Sequence, residues 1–194
     1  MEAVLITHLH GDHILGLPVW ALKKAKRLPA PEDGSIHICA DESQKAMLEH
    51  LICSSFATSF SSEKTGRFFR WTCDGTFSLD DLRIRRIAVK HGSLPDCFGY
   101  LVSDKAVTVG FTGDSCMCEG VREIASNADL IFCDCDLVKG NEKHMGIDDV
   151  EALAYEFPNV HIIASHLKDE TRAILARKQI RNVTAADDGA VYQL

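Results

Sequence analysis

Long hydrophobic runs are absent from this sequence of 194 residues. No stretch approaches the ~20 apolar residues that span a bilayer, so a membrane-spanning helix is not expected. The opening "MEAVLIT" has no basic region ahead of its apolar residues and runs straight into histidines, which is not a signal-peptide pattern. A basic excess is missing too: 21 Lys and Arg stand against 28 Asp and Glu, and the net charge of −7 argues against a broad nucleic-acid surface. The eight cysteines (Cys39, Cys53, Cys73, Cys97, Cys116, Cys118, Cys133 and Cys135) include no CxxC pair. Scattered through apolar segments, they read as reduced thiols packed as small hydrophobes in a cytoplasmic protein. No internal repeat stands out. Low complexity is confined to residues 57–66, "ATSFSSEKTG", expected to be a short surface loop.

What is present suits one globular domain over residues 1–194, long enough to bury roughly 70% of its unfolded surface. Short apolar runs that read as strands ("EAVLIT", "SIHICA", "RFFRWTC", "TFSL", "LRIRRIAVK", "CFGYLVS", "AVTVGFT", "DLIFCD", "NVHIIAS") are interleaved with helical segments. In the helix from "ESQKAMLEHLICSSF" the periodic apolar positions are Ala46, Met47, Leu51 and Ile52. In "IDDVEALAYEF" they are Ile147, Val150, Ala154 and Phe157. "DDG" at 187–189 suits a turn before a closing "AVYQL". Strands crowd the middle and strand–helix units alternate afterwards, so the class expected is α/β, with helices packed outside sheets. The basic runs "KKAKR" (Lys23, Lys24, Lys26, Arg27) and "RIRR" (Arg83, Arg85, Arg86) read as a solvated helix face and an exposed strand face.

The densest chemistry is "THLHGDHILGLP" at 7–18. His8 and His10 leave a strand end two residues apart and can face one cavity, while Asp12 and His13 fall in the turn before the next helix. Four ligand-type side chains within six residues are too closely spaced for one metal to use them all comfortably, so a two-metal site is inferred. Further ligands belong at other strand ends, where α/β folds place their chemistry, and three positions qualify: His91 after "RIRRIAVK", Asp114 in "FTGDS" and His166 in "SHL".

"HLHGDH", His91 in "HGSLPDCFGY", "FTGDS" and "SHL" resemble, in order, the ligand motifs of the metallo-β-lactamase-fold hydrolases. The resemblance implies an αββα four-layer sandwich with a dinuclear site where two sheets meet. It implies His8, His10 and His91 on one metal, Asp12, His13 and His166 on the second, and Asp114 bridging, with zinc the first choice and manganese or iron the alternatives. His37, His50 and His161 are left structural or solvent-facing. "ITHLHGDHILGLP" is most similar to the ribonuclease Z and phosphodiesterase branch, and "EKHMGIDDVEALA" places His144 where that branch has a histidine acting on the scissile phosphate or the leaving group. Asp134, ending "DLIFCD", matches the acidic position that accompanies it. Asp12 and His144 are thus the side chains expected to take part in catalysis.

The activity implied is phosphodiester cleavage by a metal-bridging hydroxide, on a small-molecule or nucleotide substrate. Nucleic acid stays open as a substrate, although nothing corresponds to the basic arm that ribonuclease Z enzymes use to grip transfer RNA. No membrane partner is expected, and a homodimer is an alternative state. The rival activities are metal-dependent hydrolysis of a lactone or thioester, and an inactive metal-binding remnant. In that family more strands precede the histidine cluster than "MEAVLIT" supplies, so the expectation is a fold without its usual N-terminal strands.

Overall fold

The computed structural model describes residues 2–27 and 36–192, and for Glu2, Arg27 and Ser62 the backbone alone. The arginine that ends the "KKAKR" run and the last two residues of "AVYQL" thereby have side chains outside the described residues. The chain divides into two units, Met1–Asp80 and Asp81–Leu194.

The first unit contains β1 (Glu2–Leu5), α1 (Gly11–Ile14), α2 (Leu17–Arg27), β2 (Ile36–Cys39), α3 (Glu42–Ser55), α4 (Ser62–Phe68), β3 (Phe69–Thr72) and β4 (Thr76–Leu79). Strands β1, β2 and β3 pair in that order, all parallel, which requires the crossovers that the helices supply. Alternation along the strands puts Ile36, Ile38 and Phe69 into one core with Ile6, Leu17, Ala21, Leu48 and Ile52.

Two expectations are corrected here. The buried stripe of α3 is Gln44, Leu48 and Ile52, whereas Met47 is 55% exposed. Gln44 is drawn in because its side chain accepts from the Asp41 backbone N–H in a capping box, and this fixes the helix phase against the apolar reading. The polar stretch at 57–66 is not simply a loop. Ser61 caps α4 by accepting from the Lys64 N–H, the Thr65 hydroxyl donates to the Ser61 carbonyl, and Phe60 and Thr65 are buried. A small, polar composition conceals a helix whose stability comes from one cap and one aromatic anchor.

The second unit contains β5 (Leu82–Ala88), β6 (Phe98–Ser103), β7 (Thr108–Phe111), α5 (Glu119–Ser126), β8 (Leu130–Asp134), α6 (Ile147–Glu156), β9 (His161–Ser165), α7 (Asp169–Lys178) and β10 (Val183–Ala185). Its strands bond in the order β10-β9-β8-β7-β6-β5. From β7 to β10 the pairing is parallel, and β6 is antiparallel to both β7 and β5. β5, β7, β8 and β9 therefore all point the same way, and their C-terminal ends share one edge of the sheet. Helix α5 lies close on this sheet because glycines meet it: a Cβ on Gly99 or Gly110 would stand 2.4 or 2.6 Å from Ile124, and one on Gly120 would stand 2.0 Å from the Ala88 carbonyl oxygen.

The buried face of α6 includes Leu153 beside Ile147, Val150 and Ala154, with Phe157 partly buried against the same core. β10 was not foreseen, because three residues are too few to establish a period. The described part of "AVYQL" forms no strand. Tyr192 instead sets its ring edge-on to Phe132 at 6.0 Å, and its hydroxyl accepts from the Asp187 N–H. All eight cysteines are free, and burial pushes the Cys97 thiol up to about 11 and the Cys135 thiol up to about 12. Such thiols stay protonated and inert. No helix among the described residues is long and apolar enough to cross a membrane.

Candidate metal centre

In the first unit, the chain leaves β1 through Ile6, whose N–H donates to the Cys39 carbonyl. This last tie to the sheet fixes the level at which the histidines emerge. His8 is buried and His10 exposed. Asp12 and His13 lie not in a turn but in the single helical turn α1, held by the Ile14 N–H donating to the His10 carbonyl. The imidazoles of His8 and His10 stand 4.7 Å apart between ring centres, and those of His8 and His13 stand 4.2 Å apart. Asp12 Oδ2 approaches His13 Nε2 at 3.6 Å. Desolvation works to raise the Asp12 pKa, but its own backbone N–H and the three histidines outweigh this and hold the carboxyl below its usual range. Three imidazoles and a carboxylate drawn together are a donor set of the kind divalent zinc-like ions take.

In the second unit, the shared strand edge collects His91 beyond β5, Asp114 beyond β7, Asp134 at the end of β8 and His166 just past β9. His144 arrives on the loop between β8 and α6. Several bonds make that loop rigid. Asn141 Oδ1 accepts from the Lys143 and His144 N–H groups, Met145 N–H donates to the Ser115 carbonyl, and Gly92 N–H donates to the Glu142 carbonyl. Met145 is fully buried. His144 then stands between two imidazoles, 4.7 Å from His91 and 5.2 Å from His166 between ring centres. One ligand atom each from Asp114, His144 and His166 lies within 4.8 Å of the others.

A single carboxylate organises this cluster. Asp134 Oδ2 accepts from His144 Nδ1 at 2.9 Å and from the Ser115 N–H at 2.9 Å. Its Oδ1 accepts from the Asp136 N–H at 3.2 Å and from His166 Nδ1 at 3.4 Å. Buried, and accepting from two backbone N–H groups, it also faces both imidazoles through Nδ1 and so turns their Nε2 atoms away from itself. The His166 pKa is pushed up to about 9, first by the hydrogen bond to Asp134, against burial and with help from the Asp114 charge. His166 also takes a left-handed backbone conformation, φ 59°, which is uncommon outside glycine and found at functional sites.

The donor chemistry suits a metal. His91 Nδ1 stands 2.8 Å from the Lys143 carbonyl, and a carbonyl only accepts, so the His91 proton sits on Nδ1 and the lone pair on Nε2. Metal-binding imidazoles are oriented in this way. Within each unit the structure thus brings together the side chains singled out from the sequence. His37, His50 and His161 bond instead to Thr72, Ser54 and Thr184. The sequence reading passed over the bracing partners. The Lys143 carbonyl and Ser115 act through backbone atoms, which carry no sequence signal, and Asn141 acts through its side-chain Oδ1 on the backbone of its own loop. Asp136, bonded to Lys168 Nζ at 2.7 Å, follows Asp134 too closely to have been read as a separate feature.

Solved structures with the same fold include a diphosphatase from the PhnP family (TM-score 0.75, 20% identity, covering 100% of this chain and 73% of that one). The short form of human tRNase Z matches with TM-score 0.66 and 18% identity, over 98% of this chain and 78% of that one. In sequence, the chain is similar to a ribonuclease Z of Sulfurisphaera tokodaii, 25% identical over 179 residues. That match covers 74% of this chain and 61% of the relative, so the chain spans less than two thirds of the relative's length. The sequence profile of the beta-lactamase superfamily domain matches residues 1–167, most of the chain, and the chain belongs to the beta-lactamase superfamily.

Proposed function

We propose that this chain is a dinuclear metal-dependent hydrolase that cleaves phosphodiester bonds, and that residues 1–194 act as one domain. His8, His10 and His91 would hold one ion, Asp12, His13 and His166 the other, and Asp114 both, with zinc best suited to imidazole and carboxylate donors. A divalent pair supplies Lewis acidity and a nucleophile active at neutral pH. Beyond holding ions, the chain's own contribution is His144. The observation that carries the reading is its 2.9 Å bond to buried Asp134. An imidazole so held is fixed in orientation, keeps Nε2 for the substrate, and can donate a proton to a departing oxygen or balance phosphoryl charge. The likeness to a ribonuclease Z and a diphosphatase supports a phosphate ester over an acyl substrate. Eight free thiols support a reducing, cytoplasmic setting. A homodimer is the corresponding proposal for assembly, checked by sedimentation.

The test is parallel turnover of bis-p-nitrophenyl phosphate and of a lactone and thioester panel by the metal-loaded chain. Acyl turnover without phosphodiester turnover overturns the substrate class, and turnover of neither favours a metal-binding protein without activity. His144→Ala separates the roles of that residue. Metal content should stay near two equivalents while cleavage slows by about 10²-fold, more for alkoxide than for p-nitrophenolate leaving groups. A loss of metal would make His144 a ligand instead.

A further inference from the structure

The other end of the same sheet carries a second concentration of charge that the candidate centre does not use. Arg83 and Arg85 alternate along β5, so both lie on the face covered by α5. The strand register extends them into two rows across the sheet: Arg83 opposite Ser103 and Ser103 opposite Thr108, then Arg85 opposite Leu101 and Leu101 opposite Gly110. Helix α5 packs on Gly110 through Ile124 and stops at Ser126, which leaves the first row open. The result is a cavity of about 320 Å³ lined by Arg83, Arg85, Leu101, Ser103, Thr108 and Asn127.

Its lining holds two guanidinium groups and no carboxylate, in a chain whose net charge is −7. Arg85 is partly neutralised by Glu123 at 2.7 Å, while Arg83 has no ion-pair partner among the described residues. The Thr108 hydroxyl donates to Ser103 Oγ at 3.0 Å, which makes the Ser103 hydroxyl a stronger donor in turn. The C-terminal carbonyls of α5 would repel an anion, but Asn127 covers them: its N–H donates to the Ile124 carbonyl and its Nδ2 to the Glu123 carbonyl. A forked guanidinium and a hydroxyl on neighbouring strands suit a tetrahedral anion with several acceptor oxygens.

We propose that this cavity binds a phosphate group, at a site separate from the candidate centre and at the opposite ends of the strands. From Arg83 to the end of β5 at Ala88 is about 17 Å at the usual strand rise, so one small phosphate ester cannot occupy both places. Binding here requires no turnover at the centre. The group could belong to free phosphate and mononucleotides or to the backbone of an oligoribonucleotide.

The experiment is a titration of the isotopically labelled, metal-loaded full chain, followed by amide NMR, first with inorganic phosphate and then with a 5′-phosphorylated oligoribonucleotide. Saturable shifts are expected at Ser103, Thr108 and Asn127. Arg83→Gln should weaken them about tenfold or more, the loss of a charge-assisted hydrogen bond, whereas His144→Ala should leave them as they are. If Arg83→Gln folds poorly, Ser103→Val removes a donor without touching the charge and should weaken binding in the same direction. An oligoribonucleotide that binds tighter than inorganic phosphate, with the gain lost in Arg83→Gln, assigns the site to a polynucleotide backbone. Equal affinity assigns it to free phosphate. No saturable shift at these three residues, or an Arg83→Gln response equal to that of the parent, overturns the proposal.

Discussion

The two units bring ligand-type side chains together by opposite means. In the first, His8, His10, Asp12 and His13 lie within six residues, and a strand end followed by one helical turn suffices to cluster them. In the second, His91, Asp114, Asp134, His144 and His166 are spread over seventy-six residues of sequence and meet because β5, β7, β8 and β9 end at one edge. A local cluster depends on little besides its own backbone. A distributed one depends on strand direction, on a braced loop, and on a buried carboxylate that orients two imidazoles at once. The first should therefore fail only when its ligands are removed, and the second also when its supports are.

The most severe break is His8→Ala with His10→Ala. One ion should be lost and hydrolysis should fall to background while the fold survives, as read by metal analysis, turnover and circular dichroism. Full metal content in that variant would remove both residues from the ligand set. Asp134→Asn sharpens the contrast, because it alters a support and no assigned ligand. It should cost about 10- to 100-fold in rate or metal affinity, as loss of an orienting partner does.

The same substitution has a pH signature. In the metal-free chain, His166 should titrate near 9. Its folded-state pKa lies above the unfolded value of about 6.5, so the stability it lends is fully present below that value and lost as pH rises through about 9. In Asp134→Asn the midpoint should fall toward 6.5, read by imidazole NMR. An unchanged midpoint would show that Asp134 does not hold His166.

Next in size is Gly120→Ala. Its Cβ would sit 2.0 Å from the Ala88 carbonyl oxygen, forcing α5 off the sheet at a cost of about 1–3 kcal/mol in denaturant unfolding, with a secondary loss of activity as β5 and the segment carrying His91 shift. The smallest effect is expected from Asp41→Ala in the first unit. Losing the α3 cap, the Asp41 Oδ1 that accepts from the Ser43 N–H and hydroxyl, should cost about 1 kcal/mol, with metal binding at the histidines of the same unit intact.

The local cluster was legible because its spacing alone implies proximity, and so were most strands and helices, whose hydrophobic periods match their elements. Misreadings came where one tertiary contact overrides a local pattern. Capping by Asp41 turned Gln44 inward and Met47 outward in α3. Ser61 and buried Phe60 made a helix of a polar stretch. β10 forms only because β9 offers it an edge to pair with.

The sequence by itself determined which residues could bind metal and that they sit where apolar strands end, because residue chemistry and periodicity are local properties. Only the tertiary structure decided that Asp134 serves two histidines, that His91 keeps its proton on Nδ1 against the Lys143 carbonyl, and that Arg83 shares an open cavity with Ser103 and Thr108. Each of these depends on strand order and register, which long-range pairing sets and no short window of sequence contains.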